Sequence, residues 1–228
     1  WSSDVCSSDL DGRSGRFTAT APSGGNHGPV SVAETYHFAH ADGTPFRQIG
    51  TTSYGWTHQP EATRRRTLET LSGAPFNKIR MLVLPNGAVA TNTPLSPFAR
   101  TGTGETDWDP TRFEPAFFQR LDACVAALCD MGVQADVILF HPYDEASGLH
   151  AMPANLDARY VRYVVARLSA YRNVWWSMAN EFDILKKSDE DWDRLFQVVR
   201  DADPHGRLRS IHNWRRLYDN GKPWVTHS

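Results

Sequence analysis

The nine residues from Val174 to Phe182, Val-Trp-Trp-Ser-Met-Ala-Asn-Glu-Phe, constrain the fold more than any other stretch of this chain. A short, almost wholly apolar run of this kind reads as a strand buried on both faces, which is the habit of parallel sheets. It leads directly into Asn180 and Glu181. A carboxylate just past the C-terminal end of a buried parallel strand stands where parallel barrels keep their chemistry. Apolar surroundings penalise its charge, so such a Glu suits proton donation to a leaving group near neutral pH. The plainer reading is a solvated Glu that opens the next loop.

The remainder of the chain sets that strand in an alternating pattern. Strands are expected at 46–51, 77–84, 135–140, 174–179 and 208–212, with a weaker one at 224–226, and helices at 61–72, 112–131, 155–171 and 189–202. In the second helix Phe117, Phe118, Leu121, Cys124, Val125 and Leu128 form one apolar stripe, and Gly132 follows as a stop. A doubly wound dinucleotide fold would carry G-x-G-x-x-G after its first strand. Here the first strand runs into Gly50-Thr-Thr-Ser-Tyr-Gly-Trp56, without that spacing. The expected fold is therefore α/β, a (β/α)8 TIM barrel of which about strands 1–6 are present, with a short N-terminal β remnant. Residues 15–40 alternate weakly and are rich in turns, as two or three short antiparallel strands would be. The Gly/Pro/Thr-rich stretch 85–110 is longer than an ordinary connection, and such loops are usually functional.

Composition narrows the class. With 24 basic and 26 acidic residues the net charge is −2, which argues against a nucleic-acid footprint. No run approaches the length of a membrane-spanning helix. Three cysteines make no disulfide framework, and no Cys/His spacing suggests structural zinc. Neither a cofactor nor a bound metal is expected. Aromatics are plentiful, with eight Trp, seven Tyr and eleven Phe, and several of them fall in loops: Tyr54, Trp56, Trp108, Tyr143, Trp214 and Trp224. Rings of this sort suit a carbohydrate partner, because apolar faces of pyranose rings stack on aromatics. Residues 1–10 lack Met, a basic segment and an apolar segment, so they are no signal peptide. They resemble translated sequencing-adapter DNA and are set aside from the fold, with the true start expected to be missing.

Polar and aromatic groups recur where the strands end. Tyr54 and Trp56 follow the first strand, Arg80 lies late in the second, and His141, Tyr143 and Asp144 follow the third. Asn180, Glu181 and Asp183 follow the fourth, His212 and Asn213 end the fifth, and the last candidate reaches His227. Such repetition implies one converging mouth.

At these residues a family resemblance emerges. Asn180-Glu181 resembles the acid/base motif of clan A glycoside hydrolases, retaining enzymes built on this barrel. The stretches 46–56, 138–144 and 175–183 are similar, more narrowly, to the apiosidase-like group, bacterial barrels that follow a β-sandwich. The resemblance covers about residues 25–228 and divides the chain into 11–42, the tail of that sandwich, and 43–228, a partial catalytic barrel. It implies that Glu181 is the general acid/base and that Asn180 bonds the hydroxyl beside the anomeric carbon. Arg80 would face the nucleophilic carboxylate and keep it ionised. His141 and Tyr143 would line the sugar subsite, unless His141 is a core imidazole bonded to backbone; Tyr54, Trp56 and His212 are further candidates. Asp183 is expected to orient a loop. The clan's nucleophile is a Glu after strand seven, expected here beyond Ser228, because the stretch from Phe46 onward is shorter than the about 250 residues of a closed barrel. On that expectation the fragment alone is inactive. Two other readings stand beside this one: a non-catalytic carbohydrate-binding barrel, and a metal-dependent hydrolase using His141, Asp144, His212 and His227.

Overall fold

A computed structural model of the chain describes residue 18 and residues 20–86, 95–143 and 145–228. The adapter-like segment 1–10, the middle of the long loop and Asp144 lie outside the described residues. Strands β1 (Val30–Ala33), β2 (His37–His40) and β3 (Pro45–Phe46) form a small antiparallel sheet. After it come β4 (Gly50–Thr52), α1 (Glu61–Ser72) and β5 (Lys78–Leu82). The long loop contains a hairpin of β6 (Phe98–Arg100) and β7 (Trp108–Phe113). Then α2 (Pro115–Asp130), β8 (Gln134–Phe140), α3 (Ala154–Leu168), β9 (Val174–Ala179), α4 (Asp189–Ala202) and β10 (Arg209–Ser210) follow in turn.

The second sheet is ordered β10-β9-β8-β5-β4, and every neighbouring pair in it is parallel. Strand order therefore follows chain order without reversal. A doubly wound sheet reverses at its switch point, whereas a barrel adds each new strand beside the last. Among the described residues the sheet stays open.

Several boundaries depart from the sequence reading. The strands expected at 77–84 and 208–212 are shorter, Lys78–Leu82 and Arg209–Ser210, and the helix expected to 171 ends at Leu168. Three departures have a clear cause. The strand expected over 46–51 is two: Pro45–Phe46 pairs with β2, and the parallel sheet starts at Gly50. The helix expected from 112 starts at Pro115, because β7 runs to Phe113 and the Glu114 side chain caps the helix by accepting from the Ala116 N–H at 3.2 Å. Residues 224–226 are no strand. Thr226 lies beside β10 through a backbone bond to the Arg209 carbonyl at 2.9 Å, and its hydroxyl accepts from the Arg209 N–H at 2.7 Å.

The two faces of the parallel sheet differ in chemistry. Ile79, Met81, Val137, Leu139, Trp176 and Met178 point to the helices and form the main core. That side is closed by α2 and α3, and by Trp192, Leu195, Phe196 and Val199 of α4, an i, i+3, i+4, i+7 stripe. A capping box between Ser188 and Asp191 starts α4. The opposite face carries Leu82 and Ile138 but is otherwise largely polar or aromatic, with Lys78, Arg80, Gln134, Asp136, Trp175 and Ser177. Near the strand starts Lys78 pairs with Asp136 at 2.8 Å, both buried, and its ammonium sits 4.5 Å from the Trp175 ring centre. The Trp175 indole N–H donates to Gln134 at 3.1 Å. Phe38, Phe46 and His227 pack on the same indole, at 5.0, 5.9 and 5.3 Å between centroids. The β1–β3 sheet thus seals the base of the inner face. His227 belongs to this base and not to the mouth, and burial lowers its pKa to about 4.

A buried ion pair is strained less by double removal than by single removal. Lys78→Met should leave the Asp136 charge stranded and cost about 3–5 kcal/mol in urea unfolding. The double variant Lys78→Met/Asp136→Leu should recover most of that loss.

Candidate active site

The polar cluster at the other end of the sheet is built around Asn180. Strand β9 is buried along its whole length between β8 and β10, and the Asn180 N–H extends the ladder to the Phe140 carbonyl at 3.0 Å. Asn180 itself is 1% exposed. A buried amide must find partners, because leaving one unmade costs about 1–3 kcal/mol. Its Oδ1 accepts from the Tyr54 hydroxyl at 3.1 Å and from Arg80 Nη2 at 3.3 Å, and its Nδ2 donates to the Tyr143 hydroxyl. Tyr54 follows β4, Arg80 lies within β5 and Tyr143 follows β8, so three successive parallel strands converge on one side chain.

Arg80 also donates to Ser177 Oγ at 3.4 Å. Its buried Nε has no partner, and among the described residues it joins no ion pair. A guanidinium carries five donors in a fixed fork matched to carboxylates. The fork here is only partly used.

Glu181 is half-buried and has φ of +53°. This left-handed conformation is uncommon for a residue with a Cβ and costs of order 1–3 kcal/mol. Bonds on both sides enforce it: Phe182 N–H to the His212 carbonyl at 2.9 Å, and Ile184 N–H to the Glu181 carbonyl at 3.1 Å. The Glu181 N–H donates to His212 Nδ1 at 3.3 Å. That nitrogen must then be unprotonated, and the His212 pKa is lowered, by burial first and then by Arg80. Tyr143 is pushed up by burial, by Tyr54 and by hydrogen bonding with Glu181. The Glu181 carboxyl thus lies within interaction range of the Tyr143 hydroxyl, beside the Asn180 cluster.

Two expected site residues do other work. Of the two readings open for His141, the structure gives the core imidazole: it is 1% exposed, donates from Nε2 to the Leu84 carbonyl at 3.0 Å and accepts the Tyr143 N–H at 3.2 Å. It shapes the turn that carries Tyr143 and stacks on that ring at 5.3 Å. Trp56 is a correction. It is 2% exposed, within a 3-10 turn, and shares the lining of a small pocket with Leu68 of α1 and Cys124 of α2. It is core on the helix side of the sheet. The histidines of the metal reading do not converge either, since His227 is at the base while His212 is beside Glu181.

Sequence reasoning passed over Ser177, whose signal is its inner-face parity with Trp175 two residues earlier. Asp183 orients a loop, and does so through its carboxylate. The N–H groups of Trp214, Arg215 and Arg216 all donate to it, at 2.6, 2.8 and 2.8 Å. Burial works to raise its pKa, but these three bonds outweigh it and hold the carboxyl at about 2. Arg216 in turn clasps Asp189 of α4 with two bonds of 2.8 Å.

Parallel strands with hydrogen-bonding side chains gathered at their C-terminal ends are the layout of (β/α)8 enzymes, and solved structures described as glycoside hydrolases align with the chain. A candidate glycoside hydrolase from Bacteroides vulgatus ATCC 8482 is 42% identical with a TM-score of 0.89, over 93% of this chain and 44% of that one. A family 5 glycoside hydrolase from the same bacterium gives 18% identity and a TM-score of 0.66, over 87% and 43%. A family 5 mannosidase from Rhizomucor miehei gives 12% and 0.61, over 84% and 57%. At the two lower identities the likeness shows the fold alone. No curated protein matches the chain. The model of the apiosidase-like catalytic domain matches residues 33–227, and the chain belongs to that family. It spans less than half the length of the Bacteroides relative at 42% identity.

The Asp183 clamp makes a pH-dependent prediction. Its pKa is lowered from 3.8 to about 2 on folding, so its contribution is full above about pH 4 and is lost as pH falls toward 2. Asp183→Asn should lower Tm at pH 7, and thermal melts should show the gap to wild type closing between pH 4 and 2.

Proposed function

We propose that this chain carries the acid/base half of a retaining glycoside hydrolase acting on O-glycosidic bonds of oligo- or polysaccharides. The observation that carries the reading is the paired Asn180 and Glu181 at the end of β9. One amide is locked by Tyr54, Arg80 and Tyr143, and the neighbouring carboxyl lies beside the same cluster on a left-handed backbone. Family membership supports it, as does the Bacteroides relative at 42% identity. Among more distant folds, a Rhizomucor mannosidase variant is seen in complex with mannosyl-fructose.

In this reading Glu181 protonates the glycosidic oxygen as the bond breaks, then takes a proton from the incoming water. Asn180 holds the hydroxyl next to the anomeric carbon, a bond that tightens as positive charge develops on the ring. Tyr143 keeps the Glu181 carboxyl in place and, being held protonated, donates and never competes as a base. Arg80 receives the second carboxylate, and its unused donors mark the place. Retention requires that carboxylate about 5–5.5 Å from Glu181. Asp136, the register neighbour of Arg80 on β8, is taken up by Lys78 at 2.8 Å, and we look for the second carboxylate in the part of the protein that this chain does not span.

Two substitutions in the whole protein test the roles. Glu181→Gln should cost roughly 10²–10⁴-fold in kcat/KM on glycosides with poor leaving groups. Activated aryl glycosides should lose far less at the glycosylation step, since they need little protonation. Equal losses would rule out the acid role and favour a barrel that only binds sugar. Asn180→Ala should lower kcat by roughly 10²-fold, because its bond strengthens in the transition state; a change confined to KM would contradict the assignment.

A further inference from the structure

An aromatic side chain left exposed is ordinary, but one whose backbone is clamped beside a reacting group is not. Trp214 is 56% exposed, yet its own N–H is the first of the three that Asp183 accepts, at 2.6 Å. Asp183 is two residues past Glu181 and belongs to the same turn. Across that turn Glu181 N–H meets the His212 ring and Phe182 N–H meets the His212 carbonyl. The segment holding Trp214 is thus joined to the segment holding Glu181 by five hydrogen bonds, and Arg216 ties it again to Asp189. The Arg215 guanidinium lies 6.0 Å from the Trp214 ring. Ile184 and Leu217, 50% and 73% exposed, are further exposed apolar residues of the same two loops. A ring carried on a fixed backbone has little more than its own two side-chain torsions to lose when a ligand settles on it, which is how preorganised aromatics gain affinity.

The order of the sheet says which ligand. Tyr54, Arg80 and Tyr143, the partners of Asn180, all come from strands on one side of β9, while Trp214 follows β10 on the other. If the Asn180 cluster holds the sugar whose bond is broken, the reading proposed above, Glu181 stands at the joining oxygen and the departing sugar lies across it. We infer that Trp214 is the stacking platform of the leaving-group subsite, taking a pyranose ring of the substrate against its indole, with Asp183 as the residue that positions it.

The test compares two substrates of the whole protein: the oligosaccharide it turns over best, and the glycosyl fluoride of the same reacting sugar, whose leaving group is one atom. Trp214→Ala should lower the ratio of kcat/KM on the oligosaccharide to that on the fluoride by roughly tenfold or more, about what one aromatic contact is worth. Trp214→Phe should restore most of the ratio, with Tm unmoved in both variants. An unchanged ratio overturns the inference. So does a fall in Tm of several degrees, which would mean that other protein covers the ring. Wild type that hydrolyses neither substrate sinks the glycosidase reading, and this assignment with it, whereas a normal wild type with an unchanged ratio removes the platform alone.

Discussion

The site depends on one buried amide being fully satisfied. Asn180 is enclosed because β9 is enclosed, with strands on both sides and cores on both faces. At that depth an unmet oxygen or nitrogen is costly, so the amide compels Tyr54, Arg80 and Tyr143 to come to it. Each of those arrives from a different strand, and the register of the sheet decides whether they can. Lys78, Gln134 and Trp175 at the base make the same demand at the strand starts, where the Lys78–Asp136 pair and the indole bond to Gln134 fix neighbouring strands against slippage. Polar bonds across the inner face at both ends thus hold the strands in the register that builds the cluster.

The conformation of Glu181 is the other half of that arrangement. A β9 that simply continued would send residue 181 onward along the ladder. The left-handed turn at φ +53° instead hands its N–H to His212 and leaves its carboxyl within interaction range of Tyr143. The strain is carried by neighbours: the bonds of Phe182, Ile184 and Asp183 surround the residue and leave it no relaxed alternative.

The elements with strong periodicity or end signals were legible in the sequence. Strand 174–179 and helices 61–72 and 189–202 are found at the expected residues. What failed was local pattern without tertiary context. Residues 45–52 look like one extended run, and only the pairing of Phe46 with Phe38 shows that its two halves serve different sheets. Trp56 and Tyr54 lie two apart in the same loop and look alike as candidates, yet one turns into the helix layer and the other toward Asn180. His141 was open between cleft and core because an imidazole serves either; the Leu84 carbonyl at 3.0 Å decides it. Trp214 was one of six loop aromatics suited to a carbohydrate and nothing in the sequence set it apart, since the clamp that singles it out joins residues some thirty apart.

The aromatic seal at the base has a consequence for traffic. Phe38, Phe46 and His227 pack edge-on or tilted against Trp175, so among the described residues aromatic rings cover the inner face at the strand starts. On the proposed two-stage hydrolysis, solvent kept out at this end enters by the opening through which the first product leaves. On that reading release and hydration share one opening, and the departure of the first sugar precedes the freeing of the second.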